Sequence, residues 1–598
     1  MRQFDFQHWK ISEETQGLLF FAQCMEEMLF HHGHDSLKVP ALNFRHICVE
    51  LSSTISKIEE GVIDKGNLKP LLEELRHSYN EDYLAKTIWG DNFNSLFYEK
   101  NAEGEIDRKS INLNDTKIGE DSSLKRIKRV INYVIKELEI DNRYYNILLE
   151  NIKNMILKQS FDNSDFDIIY KLTRTFLTDL INGGYSQEYI YWVVNDVFYN
   201  KKRNVHDVED TLALFWDYFD GKQKDYTVIL PLKISEIKKQ IVKFSDIVVC
   251  NNDENYFGNS CKWTISLRVN AMDRYAAHTK AIDRIVYLSS LMQYGNHRSR
   301  KYEADASIIV IDGEDNKYEI KTPITIMKRG TSMSYSYDYE KIIEMANNFD
   351  FSPNKFTNII GLHSMAINSK DVGNQLLNLW TIIEVLIPTE RKDNFAKINQ
   401  LCNAITTTLN SKYIYSLTEQ LCSDLVHCVS ETLSEQLTNV HKGSSDVEKI
   451  AAILALEEYK DVKNNIVNDL SAYPLLKYRM ELYSNIFSSR KNIKEYLTSH
   501  RKRVTWHIMR IYRNRNMIVH DGSYFPYIDI IIQNLHHYVD ELIDTISSYA
   551  GKGYSSMETI FTGIQQNEYK YVLLLEEKMP NGTEKNIGDD FVKVVFGY

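Results

Sequence analysis

Apolar residues recur at three- and four-residue spacing along most of this chain, the period of α-helices that turn one face to a core. The segments "TQGLLFFAQCMEEMLFHHG" and "NFRHICVELSSTISKIEEGVI" show it near the beginning. "LKRIKRVINYVIKELEI" and "IIYKLTRTFLTDLINGGYSQEYIYWVVNDVFYN" carry it to about residue 225, with the Gly-Gly of the latter marking a helix stop inside a helical hairpin. One window departs from this period. "YTVILPLKI", "SDIVVC" and "WTISLRV" are β-rich runs, "DRYAAHTKAIDRIVYLSSLMQY" is an amphipathic helix, and "ASIIVIDGEDNKYEIKTPITI" reads as a hairpin around Asp312-Gly313. Helical spacing then returns from about 336 to 550. The expected class is mainly α with a smaller α/β module, in a chain of 598 residues long enough for roughly three to five domains.

The expected order is an N-terminal helical region with a polar loop over 1–122, a helical region over 123–225, the α/β module over 226–335, a helical domain over 336–550 and a tail over 551–598. The polar stretch from about 90 to 122 has the Asn, Asp and Gly content of a loop or weak hairpin. The tail sequence "YKYVLLLEEKMPNGTEKNIGDDFVKVVFGY" predicts a terminal hairpin turning at Asn581-Gly582. No internal repeat or low-complexity tract interrupts this order.

Several function classes are disfavoured. No uninterrupted apolar run reaches the length of a membrane span, and the opening residues "MRQFDFQHWK" lack the basic-then-apolar order of a signal peptide. Seven cysteines without a CxxC pair point to reduced thiols, so the expected location is cytoplasmic. A net charge of -11 argues against a protein coated in positive charge, so any polyanion site must be local. No nucleotide-binding GxxxxGK[ST] loop or GxGxxG turn is present, and no cofactor or metal is expected. "HHGHD" offers His31, His32, His34 and Asp35, but three histidines in a helix-terminal loop read better as a solvated turn. Cys422 and Cys428 around His427 fall on opposite sides of a helix and read as buried thiols. Asp312 with Glu319-Ile320-Lys321 superficially resembles the D…ExK set of metal-dependent nucleases; Asp312, however, opens a tight turn and reads as part of an ordinary hairpin.

The most informative stretch is "IMRIYRNRNMIVHDGS", residues 508 to 523. Ile508, Ile511, Tyr512, Ile518 and Val519 fall on one helical face, with Arg515 in the middle of that apolar stripe. The opposite face carries Arg510, Arg513, Asn516, Met517 and His520, and Asp521-Gly522 supplies a helix stop. A guanidinium taken out of water needs a partner or a wet cleft. Upstream, "LLNLWTIIEVLIP" is apolar around nearly its whole circumference except for Glu384, so a contact between Arg515 and Glu384 at the edge of a cleft is expected. Arg501, Lys502, Arg503, Arg510, Arg513 and Arg515 stand in a run without acidic residues, and would focus a polyanion onto His520.

The segment Arg515-Asn516-Met517-Ile518-Val519-His520 resembles the R-x(4–6)-H signature of HEPN-domain ribonucleases, in which a polar residue commonly follows the Arg. Arg513 also fits, with six intervening residues, and the polar follower favours Arg515. "LLNLWTIIEVL" more weakly resembles the earlier HEPN helix that brings an acid near the motif, here Glu384. The order of a β-rich module and then a long helical block is similar to the large Apea-like HEPN proteins of bacterial anti-phage systems. The resemblance implies a C-terminal helical HEPN bundle and metal-independent RNA cleavage by attack of a ribose 2'-hydroxyl. Arg515, Asn516, His520 and Glu384 would be catalytic, and Arg501, Lys502, Arg503, Arg510 and Arg513 would bind RNA.

Arg515 and His520 are five residues apart, about 140° around an ideal helix, so one regular helix cannot aim both straight at one atom. The resemblance supplies a second copy across a two-fold axis as the remedy. Single-stranded RNA or tRNA loops are the expected substrates, with a phage-derived trigger sensed by the region before the HEPN block. The rival expectation is a non-catalytic HEPN scaffold for dimerisation or RNA binding, with a partner-binding N-terminal part. A further rival makes the α/β module the enzyme.

Overall fold

The structure is a computed structural model that describes residues 8–30, 39–90, 93–100, 104, 106–107, 121–232, 246–252, 254, 256–257, 261, 263–295, 308–321, 353–369, 371–389, 394–554, 556–578 and 585–597. It is mainly α with one small α/β unit, as the periodicity predicts. Two compact units divide the chain: Met1–Thr178 together with Ile326–Tyr598, and Asp179–Thr325.

The first unit opens with α1 (Gln16–Phe30), α2 (Phe44–Glu59), α3 (Leu68–Glu81) and α4 (Tyr83–Trp89). Leu18, Leu19, Phe20, Phe21 and Ala22 of α1 are all fully buried, so this helix is enclosed on every side. The Asn43 side chain caps α2 by accepting from the His46 N–H. A minimal antiparallel ribbon follows, β1 (Glu99–Lys100) with β2 (Ile106–Asp107), and then α5 (Asp121–Glu139), α6 (Arg143–Ile156) and α7 (Asn163–Asn182), whose residues from Asp179 on belong to the second unit. Gly183-Gly184 ends α7, with Gly184 at φ +99 where a side chain would be strained.

The second unit contains α8 (Gln187–Val194), α9 (Val208–Asp217) and a five-stranded sheet: β3 (Lys224–Leu232), β4 (Ile247–Asn251), β5 (Trp263–Ala271), β6 (Ile308–Ile311) and β7 (Lys317–Ile320). The strand order is β4-β5-β3-β6-β7, antiparallel throughout. The helix α10 (Arg274–Gly295) lays Ala277, Ala281, Ile285 and Leu288 over Val228, Leu230, Ile265, Leu267 and Val310 of one sheet face. The Asp312 carboxylate accepts from the Glu314 and Asn316 N–H groups and from the Tyr318 hydroxyl, closing the β6–β7 turn. Glu319 pairs with Ile309 rather than standing level with Asp312, so the D…ExK set is not assembled.

The first unit resumes with α11 (Pro353–Asn368), α12 (Val372–Leu386), α13 (Asn394–Thr438), α14 (Asp446–Ala455), α15 (Lys460–Asn468) and α16 (Pro474–Ile486). Then come α17 (Arg490–Asp521), α18 (Ile528–Ala550), α19 (Met557–Leu575) and α20 (Phe591–Phe596). The two halves of this unit are stitched through polar contacts. On α1, Gln23 donates to the Ala472 carbonyl at 2.9 Å, and Glu27 forms a buried pair with Arg479 of α16.

The predicted tail hairpin does not form. "YKYVLLL" continues α19, which buries Ile560, Phe561, Ile564 and Leu575 at helical spacing, and Phe591–Phe596 is a short helix packed on α13 and α14. Packing at period 3.6 overrides the strand preference of the tail's β-branched and aromatic residues. Asn581-Gly582 lies outside the described residues, as does the "HHGHD" stretch. All seven cysteines are free thiols. Among the described residues no helix is long and apolar enough to cross a membrane, and no His, Cys, Asp and Glu cluster could hold a metal ion.

Candidate active site

The helix α17 begins with a Ser489 cap accepting from the Asn492 N–H and ends at Gly522, whose φ of 63 is the left-handed stop predicted by Asp521-Gly522. Its arginines enter different surroundings along this length. Arg501 is paired with Glu568 of α19 and also donates to the Thr407 hydroxyl at 3.3 Å. Lys502 is exposed, and Arg503 lies half-buried in a groove beside Trp506 and His507.

Two turns on, Arg510 and Arg513 are each 1 % exposed. Arg510 donates to Glu50 of α2 at 3.0 Å and to Glu74 of α3 at 2.6 Å, while Arg513 donates to Glu50 at 2.7 Å. Burial by itself pushes the Glu50 carboxyl upward, but the Arg510 and Arg513 guanidiniums outweigh it and hold the group at about 2. This corrects two expectations. Arg510 and Arg513 are not available to RNA, and of the helix face read as polar they, Asn516 and Met517 are buried while His520 is exposed. The carboxylates that neutralise the two arginines come from more than 400 positions away, so the local pattern carries no sign of them. The run from Arg501 to Arg515 is therefore not a continuous basic face.

The last turns of α17 open onto a cleft of about 460 Å³ lined by Tyr512, Arg515, Asn516 and His520. Three other segments complete its walls. α12 contributes Glu384; α13 contributes Lys397, Ile398 and Leu401; and the turn after α2 contributes Gly61, Val62 and Asp64. Next to this turn, Lys57 near the end of α2 pairs with Asp521 at the end of α17 at 2.9 Å and with Glu60 at 2.9 Å. Tyr512 leans on Trp380 of α12, with ring centroids 5.8 Å apart.

Within the cleft Arg515 is half-buried and donates to the Asn516 side-chain oxygen at 3.2 Å. Among the described residues it makes no ion pair. The expected contact with Glu384 is absent. Glu384 instead accepts from Lys397 at 3.1 Å, so the acid and Arg515 border the same space while the acid's partner is a lysine from the next helix. His520, in the last turn, is exposed. The 140° between Arg515 and His520 does not separate them, because the cleft is wide enough to be bordered by both.

Lys397 is the functional-looking residue that the sequence reading missed. A signal was present: it is the fourth residue of α13, at the helix end where the backbone dipole disfavours a cation. The set can bind an anion and move a proton. It offers a guanidinium, an ammonium, a side-chain amide and an imidazole around a solvent-accessible space, with two carboxylates, Asp64 and Glu384, of which Glu384 is engaged by the ammonium. Compared with known proteins, the chain matches no family model, no curated protein and no solved structure.

Proposed function

We propose that this cleft is the active centre of a metal-independent endoribonuclease of the HEPN type. The observation that carries the reading is that Arg515, Asn516 and His520, the residues of the R-x(4)-H motif, line one open cleft together with Glu384. In the proposed reaction the ribose 2'-oxygen attacks the adjacent phosphorus and its proton passes to a base. The bond from phosphorus to the 5'-oxygen breaks, and that oxygen takes up a proton. The products are a 2',3'-cyclic phosphate and a 5'-hydroxyl end. His520 is the proton carrier, since imidazole is the side chain suited to both directions of transfer near neutral pH, a contribution typically worth about 10² to 10⁴ in rate. Arg515 faces the extra negative charge of the pentacovalent phosphorane, and Asn516 orients the Arg515 side chain.

Single-stranded RNA or tRNA loops are the proposed substrates, because unstacked RNA leaves the 2'-hydroxyl accessible. Action as a homodimer, a role in anti-phage defence and control by a phage-derived trigger rest on the resemblance to Apea-like HEPN proteins. Val519 at 49 % exposure, next to His520 in sequence, and Tyr524 at 47 %, four residues after it, are exposed apolar side chains that a second copy could cover. A cytoplasmic location belongs to the same reading.

One observation favours the rival, a non-catalytic HEPN scaffold: the arginines just before the motif are engaged in ion pairs that hold the fold together. The two readings separate on His520→Ala. Purified wild-type protein with EDTA present should cut bacterial RNA to cyclic phosphate ends, and His520→Ala should fold and associate like wild type without cutting. Equal cleavage by both proteins would remove His520 from the chemistry and with it this reading.

A further inference from the structure

The pair between Lys397 and Glu384 has no evident use in holding the protein together. Its side chains are 36 % and 24 % exposed, so water screens it and its contribution to folding is small. Lys397 also sits in the opening turn of α13, where its charge opposes the helix dipole rather than complementing it. Neither the pairing nor the position selects a lysine for stability, yet its ammonium borders the cleft that holds Arg515 and His520.

The charges of that cleft suggest what the lysine is for. Its lining carries Arg515 and Lys397 against Glu384 and Asp64, so the fixed charges balance when no ligand is present. A phosphodiester entering the cleft brings a second anion within reach of this partly exposed ammonium, whose pair with Glu384 is weakened by water. We propose that Lys397 is an RNA-phosphate contact of this site, and that Glu384 is its resting counter-ion rather than a partner of Arg515. RNA binding exchanges the Lys397–Glu384 pair for a pair between Lys397 and a phosphate oxygen. Glu384 thereby sets how strongly the cleft attracts RNA. This deepens the ribonuclease reading and rests on it.

The test is binding of a short 2'-O-methyl oligoribonucleotide, which lacks the attacking hydroxyl, followed by fluorescence anisotropy over a range of salt. Lys397→Ala should weaken binding roughly tenfold. It should also flatten the plot of log affinity against log salt by about 0.7, the loss of one phosphate contact on a single strand. Lys397→Arg should restore most of both, and Glu384→Gln should tighten binding several-fold because the competing anion is gone. Opposite signs for Lys397→Ala and Glu384→Gln are the decisive result, since a merely structural pair would make both changes act alike. If wild type cleaves RNA in a His520-dependent way while these variants bind as wild type or shift in the same direction, the lysine assignment is wrong and the ribonuclease reading stands. A wild type that binds no RNA overturns the reading itself and the lysine assignment with it.

Discussion

Arg513 and Arg515 stand two residues apart on one helix and have opposite surroundings. Arg513 is sealed against Glu50, its charge balanced by a carboxylate that is itself enclosed. Arg515 is half-buried at a wet cleft, with the Asn516 amide as its hydrogen-bond partner. Two residues turn a side chain about 200° around a helix, which here moves it from the packed side of α17 to the open side. A buried guanidinium is tolerated only with its partner in place, and removing that partner is far costlier than the pair was worth. A guanidinium at a cleft, half-hydrated and without a carboxylate, is poised for an anion from outside. The same residue type therefore serves architecture at one position and, in our proposal, chemistry at the other.

The architectural side should break hardest. Glu50→Ala leaves Arg510 without one of its two carboxylates and Arg513 without its carboxylate, and is expected to lower the stability of the first unit by about 3–5 kcal/mol, measured by urea unfolding. The same cluster sets a pH dependence. A carboxyl held at about 2 in the folded protein, against an ordinary 4.5, stabilises the fold fully above 4.5 and loses that contribution as pH falls toward 2. Unfolding midpoints measured between neutral pH and pH 3 should fall for wild type, and Glu50→Gln, although less stable at neutral pH, should show a shallower fall. A smaller effect is expected at the rim. Lys57→Ala removes the exposed pair with Asp521 and should leave the urea midpoint close to the wild-type value, with the small difference shrinking in high salt.

Much of this molecule could be read locally, and what could not has a common cause. The sheet was legible because alternation and turn chemistry are near-neighbour properties: Asp312 closes its turn with groups no further away than Tyr318. The end of α17 was legible for the same reason, since Gly522 stops the helix where Asp521-Gly522 predicts it. The orientation of that helix was not legible. Ile508 and Ile511 of the expected apolar stripe are buried, yet Val519 at its end is half exposed while Arg510 and Arg513 on the opposite face are buried, because Glu50 and Glu74 lie in distant sequence. The partner of Glu384 was hidden similarly, in Lys397 on a different helix. The tail failed for another reason: its strand-forming residues are overruled by packing along α19.

The most direct measurement compares Arg513→Gln and Arg515→Gln in parallel, by thermal unfolding and by cleavage of RNA in EDTA. Arg515→Gln should unfold at the wild-type temperature and lose about 10²- to 10³-fold in cleavage, the usual consequence of removing one stabilising contact to developing charge. Arg513→Gln should lose stability first, with whatever activity it loses following the unfolded fraction. An Arg515→Gln protein that is folded and cuts RNA as well as wild type would contradict the assignment of this cleft as the active centre.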